Sequence, residues 1–183
     1  KVSVCESSLT DEKIEINKKL LRTPIHSTDF CKYEHRSQSG VALLWLYNEN
    51  EDYELRDFDE LKSQFPVVSD YLNHCRDDLE ERAQYSAWYG YSAPRSLATH
   101  DTAEIIIPLL ADSPSFASYP KPQSRYMLMA SGGFSISLLP ESEIDSSYVL
   151  ALINTSLLFF YLRSLSSVFR GGYITCTKQY FRQ

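Results

Sequence analysis

The residues with the most to offer chemically lie near the end of the chain. Residues 146–183 carry four basic side chains, Arg163, Arg170, Lys178 and Arg182, and no acidic one, although the whole chain has a formal net charge of −6. Within this stretch Phe169-Arg170-Gly171-Gly172-Tyr173 places a cation and two glycines between two aromatic rings. Lys178-Gln179-Tyr180-Phe181-Arg182 repeats the alternation of charge and ring. Glycine permits sharp turns and close backbone approach, while Arg and Lys reach phosphates and base edges. The pattern suits the presentation of side chains to a polyanion. The same cations also suit the negative end of a helix dipole.

Two further groups interleave charge with aromatic rings. Trp88, Tyr89 and Tyr91 precede Arg95, and Lys121 and Arg125 precede Tyr126. Together they give six candidate nucleic-acid contacts: Arg95, Lys121, Arg125, Arg170, Tyr173 and Lys178. Stacking and charge-assisted hydrogen bonding are the chemistry such groups supply. Trp88 and Tyr89 also suit the role of core anchors. With Tyr91 they form the kind of aromatic group that anchors a protein partner. Arg95, after Pro94, fits a structural ion pair as readily as a ligand contact.

Catalytic patterns are weaker. A metal-dependent nuclease needs an Asp followed by an acidic-x-Lys triplet, and Glu60-Leu61-Lys62 with Asp29 or Asp57 has those letters. On a helix, residues two apart point away from each other, so the triplet reads as a solvated acidic face. There is no nucleophile elbow of the G-x-S-x-G type, and His74 and Cys75 are neighbours that do not converge. Cys5, Cys31, Cys75 and Cys176 form no C-x-x-C pair and have no His at ligand spacing, which argues against zinc. The glycine pairs are too short to cradle a phosphate. No catalytic, cofactor-binding or metal-ligating residue is therefore expected in this chain.

The elements that must position these residues follow from pattern. With 183 residues the chain is long enough for one large domain. It begins at Lys1, as an excised piece of a longer protein would. No signal peptide is recognisable, and free thiols fit a cytoplasmic setting. The apolar run 148–162 is interrupted by Asn154-Thr155-Ser156 and is shorter than the roughly 18 residues of a membrane span. That triplet has glycosylation letters but reads as a polar notch in a helix. Residues 1–112 hold 12 basic and 21 acidic side chains, and residues 113–183 hold 6 and 3. Such an acidic whole argues against an isolated, tight, non-specific nucleic-acid binder but leaves room for one basic face.

Residues 1–17 read as a loosely held polar leading segment before a domain spanning 18–183. Residues 41–47 predict a buried strand and 57–65 a short helix. Residues 66–85, with Val68, Tyr71, Leu72, Cys75, Leu79 and Ala83 at helical spacing, predict one amphipathic helix opened by Pro66. Residues 104–110 predict a strand that Pro108 places at an edge or ends. Residues 124–130 and 133–139 read as a hairpin around Ser131-Gly132-Gly133. A final long helix, capped by Ser146 or Ser147 and apolar nearly all round, should be central. The fold class expected is α+β: a single domain in which a mixed or antiparallel sheet packs against two main helices.

Taken in order, these segments resemble the C-terminal target-recognition domain of TaqI-like adenine-specific DNA methyltransferases. That family includes the fused restriction–modification enzymes of Type IIG and related phage-defence methyltransferases. The resemblance rests on Leu20-Leu21-Arg22 with Asp29 and Tyr33, and on Leu43-Leu44. It continues through Phe65-Pro66 with Tyr71-Leu72, Leu79 and Arg82, then Trp88-Tyr89 with Pro94-Arg95. Leu152-Ile153-Asn154 with Ser156 and Phe160-Tyr161, and Gly171-Gly172-Tyr173 with Lys178-Gln179-Tyr180, complete it. The resemblance implies a module that forms one wall of a DNA cleft and reads the target sequence in double-stranded DNA. It implies an upstream methyltransferase domain in cis that holds S-adenosylmethionine and grips the flipped adenine with an Asn-Pro-Pro-Tyr motif. This chain contains neither that motif nor a glycine-rich cofactor loop, so it should be inactive alone. Three departures stand out: Glu104 occupies a place where relatives carry a basic residue, the N-terminal half is acidic, and the chain stops before a Pro-containing end.

Overall fold

Alternation of apolar and polar side chains at period two opens the chain. Val2–Glu6 (β1) and Lys13–Asn17 (β2) pair antiparallel from Val2↔Asn17 to Glu6↔Lys13. The expected loose leading segment is thus a hairpin whose Ile16 reaches the core. Polar composition hid the pattern, because each strand carries only two large aliphatic side chains. The computed structural model describes residues 1–36, 40–49 and 53–181. The described residues form ten short strands and five α-helices, an α+β chain with small antiparallel and mixed sheets. They divide into two compact units, Lys1–Arg22 with Ala42–Ala98 and Thr23–Val41 with Thr99–Gln183.

In the first unit, the start of Leu21–Ile25 (β3) pairs antiparallel with Leu43–Leu44 (β4). The strand expected over 41–47 is only these two residues, although Trp45, Leu46 and Tyr47 are buried as expected. Arg22 is buried too: its guanidinium carbon lies 3.5 Å from the Trp45 ring centroid, and its Nη2 is 3.4 Å from Glu49. Phe58–Gln64 (α1) forms as predicted, with the Asp57 carboxylate accepting hydrogen bonds from the Asp59 and Glu60 N–H groups. Pro66–His74 (α2) begins on its proline, which lacks an N–H that the first turn would leave unpaired.

The helix predicted over 66–85 breaks at Cys75, resumes as Arg76–Glu80 (α3), and ends there. Arg82 explains the ending. Its guanidinium donates to the carbonyl oxygens of Leu79, Trp88 and Gly90, tying the following loop back onto the helix end. Asp77, Asp78, Glu80 and Glu81 also crowd like charge onto this turn. Leu61, Val68 and Leu72 meet Ile16, Leu20 and Leu46 in the core of this unit, each contributing about 1.5–3 kcal/mol through burial.

In the second unit three isoleucines decide the architecture. Ile105–Ile107 (β5) is the middle strand of a sheet, flanked by Ala117–Ser118 (β7) and Phe134–Ile136 (β9), both antiparallel. The period of two sends Ile105 and Ile107 into one apolar cluster and Ile106 into another. Pro108 ends the strand as expected, and the chain re-enters pairing at Leu110–Ala111 (β6). The hairpin expected over 124–139 is not formed. Tyr126–Leu128 (β8) pairs parallel with residues 23–25 of β3, and β9 pairs with β5. A turn does form, with the Gly132 N–H donating to the Met129 carbonyl at 2.7 Å, but it links strands of different sheets, and the glycines also allow a close crossing. Gly133 has φ +135, and a Cβ there would lie 1.9 Å from the Ile107 carbonyl oxygen.

The final helix is also two. Ser146–Ile153 (α4) is capped by the Asp145 carboxylate rather than by Ser146 or Ser147, accepting from the Ser147 N–H at 2.7 Å. Hydrogen bonding to Ser147 holds that carboxyl below its ordinary range. Ser156–Leu165 (α5) follows after a bend of 67°, capped by Thr155. Among the described residues no single helix is long and apolar enough to cross a membrane. Nor are these helices buried all round. Leu150, Phe159 and Leu162 face the core, while Leu157 is 76% and Phe160 71% exposed.

His35 in this unit gives a pH signature. Its side chain is buried with Nε2 3.7 Å from the Asp29 carboxylate, too far for a hydrogen bond. Burial pushes the imidazole below its ordinary value of 6.5, against the pull of Asp29. As pH falls through 6.5 the unfolded chain takes the proton first. Stability from this group is therefore full above 6.5 and declines below it until the folded imidazole also protonates. Urea midpoints measured between neutral and mildly acid pH should fall in the parent protein and fall less in His35→Gln. Equal slopes in the two proteins contradict this.

Candidate nucleic-acid interface

The acid-free tail is held at several points. Ile174–Thr175 (β10) pairs antiparallel with β6, and Ile174 is fully buried. The Cys176 N–H donates to the Leu109 carbonyl at 2.8 Å, and the Thr175 N–H to the Ser167 carbonyl at 3.1 Å. Cys176 is enclosed, and burial pushes its thiol up to about 12, which removes it as a nucleophile. Further on, the Phe181 ring meets Phe116 and Phe134 edge-on at centroid distances of 5.8 and 5.5 Å. Arg182 lies outside the described residues.

Between these anchors the chain projects a loop. Val168 and Ile174 form an antiparallel bridge, and the Phe169 N–H donates to the Tyr173 carbonyl at 2.7 Å. Gly171 and Gly172 reverse the chain with φ of +76 and +83, values that disfavour any side chain. The glycine turn expected here is present, with Arg170 exposed at its tip and Phe169 and Tyr173 exposed at its neck. Lys178 is exposed on a short 3-10 turn, and the Tyr180 hydroxyl of that turn reaches the Ser167 hydroxyl at 3.4 Å. Arg163 is exposed on α5. No Asp or Glu lies between Ser146 and Phe181.

The helix break upstream is part of the same construction. Asn154 is fully buried. Its amide oxygen accepts from the Phe116 N–H at 3.2 Å, and its amide nitrogen donates to the Phe116 and Leu150 carbonyls at 2.9 Å each. What looked like a polar notch is a clamp between the bend and the strand region that also receives Phe181. An amide inside an otherwise apolar run was the available signal, since a buried side chain of that kind must find partners.

The other candidates are distributed differently. Lys121 lies near Asp145, whose carboxyl it helps to hold low after the larger effect of Ser147. Asp145, Glu143 and Glu104 line one open groove of about 500 Å³ together with Gln123 and Leu138. Glu104 is engaged there, accepting from the Leu138 N–H at 2.8 Å. The Asp145 carboxylate opposes a phosphate beside Lys121. Arg125 is exposed at the end of a 3-10 turn leading into β8. Arg95 is exposed as well, but it belongs to the first unit, while the other five candidates belong to the second.

The aromatics considered as protein anchors are engaged internally. Trp88 and Tyr89 each lie 5.1 Å from Phe58, and Tyr91 lies 5.2 Å from Tyr47 and donates to the Leu44 carbonyl. The nuclease letters are also used locally. Asp57 caps α1, and Glu60 pairs with Arg56 at 3.4 Å and accepts from Gln64 at 3.1 Å. Among the described residues no three His, Cys, Asp or Glu side chains converge as a metal cage.

Fold and site together define an α+β chain whose second unit presents cations and aromatic rings on an anchored, carboxylate-free tail. No protein-family model matches this chain, and no curated protein sequence matches it.

Proposed function

We propose that the chain is a DNA target-recognition module working beside the catalytic domain of an adenine-specific DNA methyltransferase. The observation that carries this reading is the anchored tail: Arg163, Arg170 and Lys178 exposed, with no carboxylate from Ser146 to Phe181. Each such cation that neutralises a phosphate releases counterions from the duplex, which favours binding. The order of sequence motifs that resembles TaqI-like specificity domains points to the same partner.

In this reading the module grips and reads duplex DNA while a neighbouring domain performs the chemistry. A base must leave the stack before its amine can be methylated, and the duplex must be held in register meanwhile. S-adenosylmethionine belongs to that neighbouring domain, which supplies the methyl group and the adenine pocket. The residues of this chain bind and orient DNA and take no part in methyl transfer. A cytoplasmic location accompanies the proposal.

Titration of the full chain with a labelled duplex at low salt tests it. Arg170→Ala and Lys178→Ala should each weaken binding about tenfold. Unchanged affinity in both variants contradicts the assignment of these residues. One observation favours a second reading, in which the chain docks a protein. Tyr148, Leu152, Leu157, Phe160 and Tyr161 on α4 and α5 are all exposed, and an apolar face of this kind suits a partner surface. That reading expects association indifferent to salt, with no affinity for the duplex.

A further inference from the structure

We infer that the loop 169–173 is a wedge that enters the base stack of duplex DNA, with Phe169 and Tyr173 as the stacking rings and Arg170 as the groove contact. The inference rests on the DNA-binding reading and deepens it: the ligand is a duplex at a step that unstacks easily. Phe169 is 52% and Tyr173 40% exposed, and neither makes a ring-to-ring contact among the described residues. Two exposed rings on one loop give an apolar surface on which bases can stack. The two residues' backbones stand opposite one another across the loop neck, joined by the Phe169 N–H to Tyr173 carbonyl bond at 2.7 Å.

The loop is anchored at its base and exposed at its tip. Its base is the buried Ile174 and the ladder to β6. A Cβ on Gly172 would meet nothing within 4 Å, so glycine is needed there for its backbone angle and not for space. A Cβ on Gly171 would touch the Tyr173 ring at 3.5 Å, which places that ring along the turn. Apolar rings that part base steps, beside an arginine in the groove, are a recurring way to kink a duplex. Stacking on a ring is indifferent to base identity, so the wedge selects deformable steps, while sequence is read elsewhere on the module.

The test uses the full chain and a duplex carrying a fluorescent adenine analogue whose emission is quenched by stacking, with anisotropy followed in the same cuvette. Binding should raise the emission several-fold, and a duplex with a central mismatch should bind about tenfold more tightly than its matched counterpart, because less unstacking must be supplied. Phe169→Ala with Tyr173→Ala should bind at least about tenfold more weakly and, at protein concentrations where anisotropy reports saturation, lose most of the emission change. Phe169→Trp should retain it. Anisotropy change without emission change in the parent protein overturns the wedge and leaves the DNA reading standing, as does full emission change in the double alanine variant. No anisotropy change overturns the DNA reading and the wedge with it.

Discussion

Gly133→Ala should be the most damaging single methyl group that can be added to this protein. The new Cβ would sit 1.9 Å from the Ile107 carbonyl oxygen and 2.9 Å from its carbon, both backbone atoms of the central strand β5. No rotamer relieves a clash with backbone, and φ +135 is itself disfavoured for any L side chain. The expected cost is about 3–5 kcal/mol, a large part of the 5–15 kcal/mol typical of a whole domain. Urea denaturation followed by circular dichroism should place the variant midpoint far below that of the parent, or find it unfolded. Gly172→Ala is the control. It also has positive φ but opens on empty space, so it should cost only about 1–2 kcal/mol. Similar midpoints for the two variants contradict this account of how β5 and β9 approach.

The second large effect is expected at Asn154. Removing its amide leaves the Phe116 N–H without its acceptor inside the core. The Phe116 carbonyl keeps the Tyr33 N–H at 2.9 Å, and the Leu150 carbonyl keeps the Asn154 backbone N–H at 3.2 Å. One stranded donor plus the lost volume amounts to about 2–4 kcal/mol for Asn154→Ala. Asn154→Leu restores volume but not the acceptor, so it should recover only part. Asn154→Asp brings a carboxylate against the two carbonyls that now accept from the amide, and should be no better than alanine. A loss below about 0.5 kcal/mol in Asn154→Ala, the range of ordinary surface substitutions, contradicts the clamp. The effect bears on function, because Asn154 ties the α4–α5 bend to Phe116, whose ring also packs against Phe181 at the far end of the tail.

These two residues mark where the sequence was legible and where it was not. Local signals were readable. Asp57 and Pro66 announced helix starts, Pro108 ended its strand, and Gly171-Gly172 made the turn that glycines there require. Non-local partners were not. Residues 126–128 pair with residues 23–25, about a hundred positions earlier, and nothing in Ser131-Gly132-Gly133 distinguishes a hairpin turn from a crossing between strands. The end of α3 at Glu80 goes with Arg82 reaching the carbonyls of Trp88 and Gly90, a contact made through a loop. The hairpin of residues 1–17 was readable from Val2, Val4, Ile14 and Ile16 at period two, but its polar composition outweighed the pattern.

At the candidate site the exposure of the cations followed directly from their charge, and all six proposed residues are exposed. Their surroundings did not follow. The carboxylate beside Lys121 comes from Asp145, on a groove that Glu104 and Glu143 also line, and the anchors of the Arg170 loop come from residues 109–111. The tail carries no carboxylate of its own from Ser146 to Phe181, whereas Lys121 stands near Asp145.

The salt dependence of DNA binding tests the central claim most directly. The affinity of the full chain for a random-sequence duplex should fall steeply with added salt. The slope of log affinity on log salt should be about −3 or steeper if Arg163, Arg170 and Lys178 each neutralise a phosphate. Changing Arg170 and Lys178 together to alanine should make that slope shallower by about 2. Absence of binding at low salt, or a slope unchanged by the double substitution, contradicts the assignment of the tail as a DNA-contacting surface.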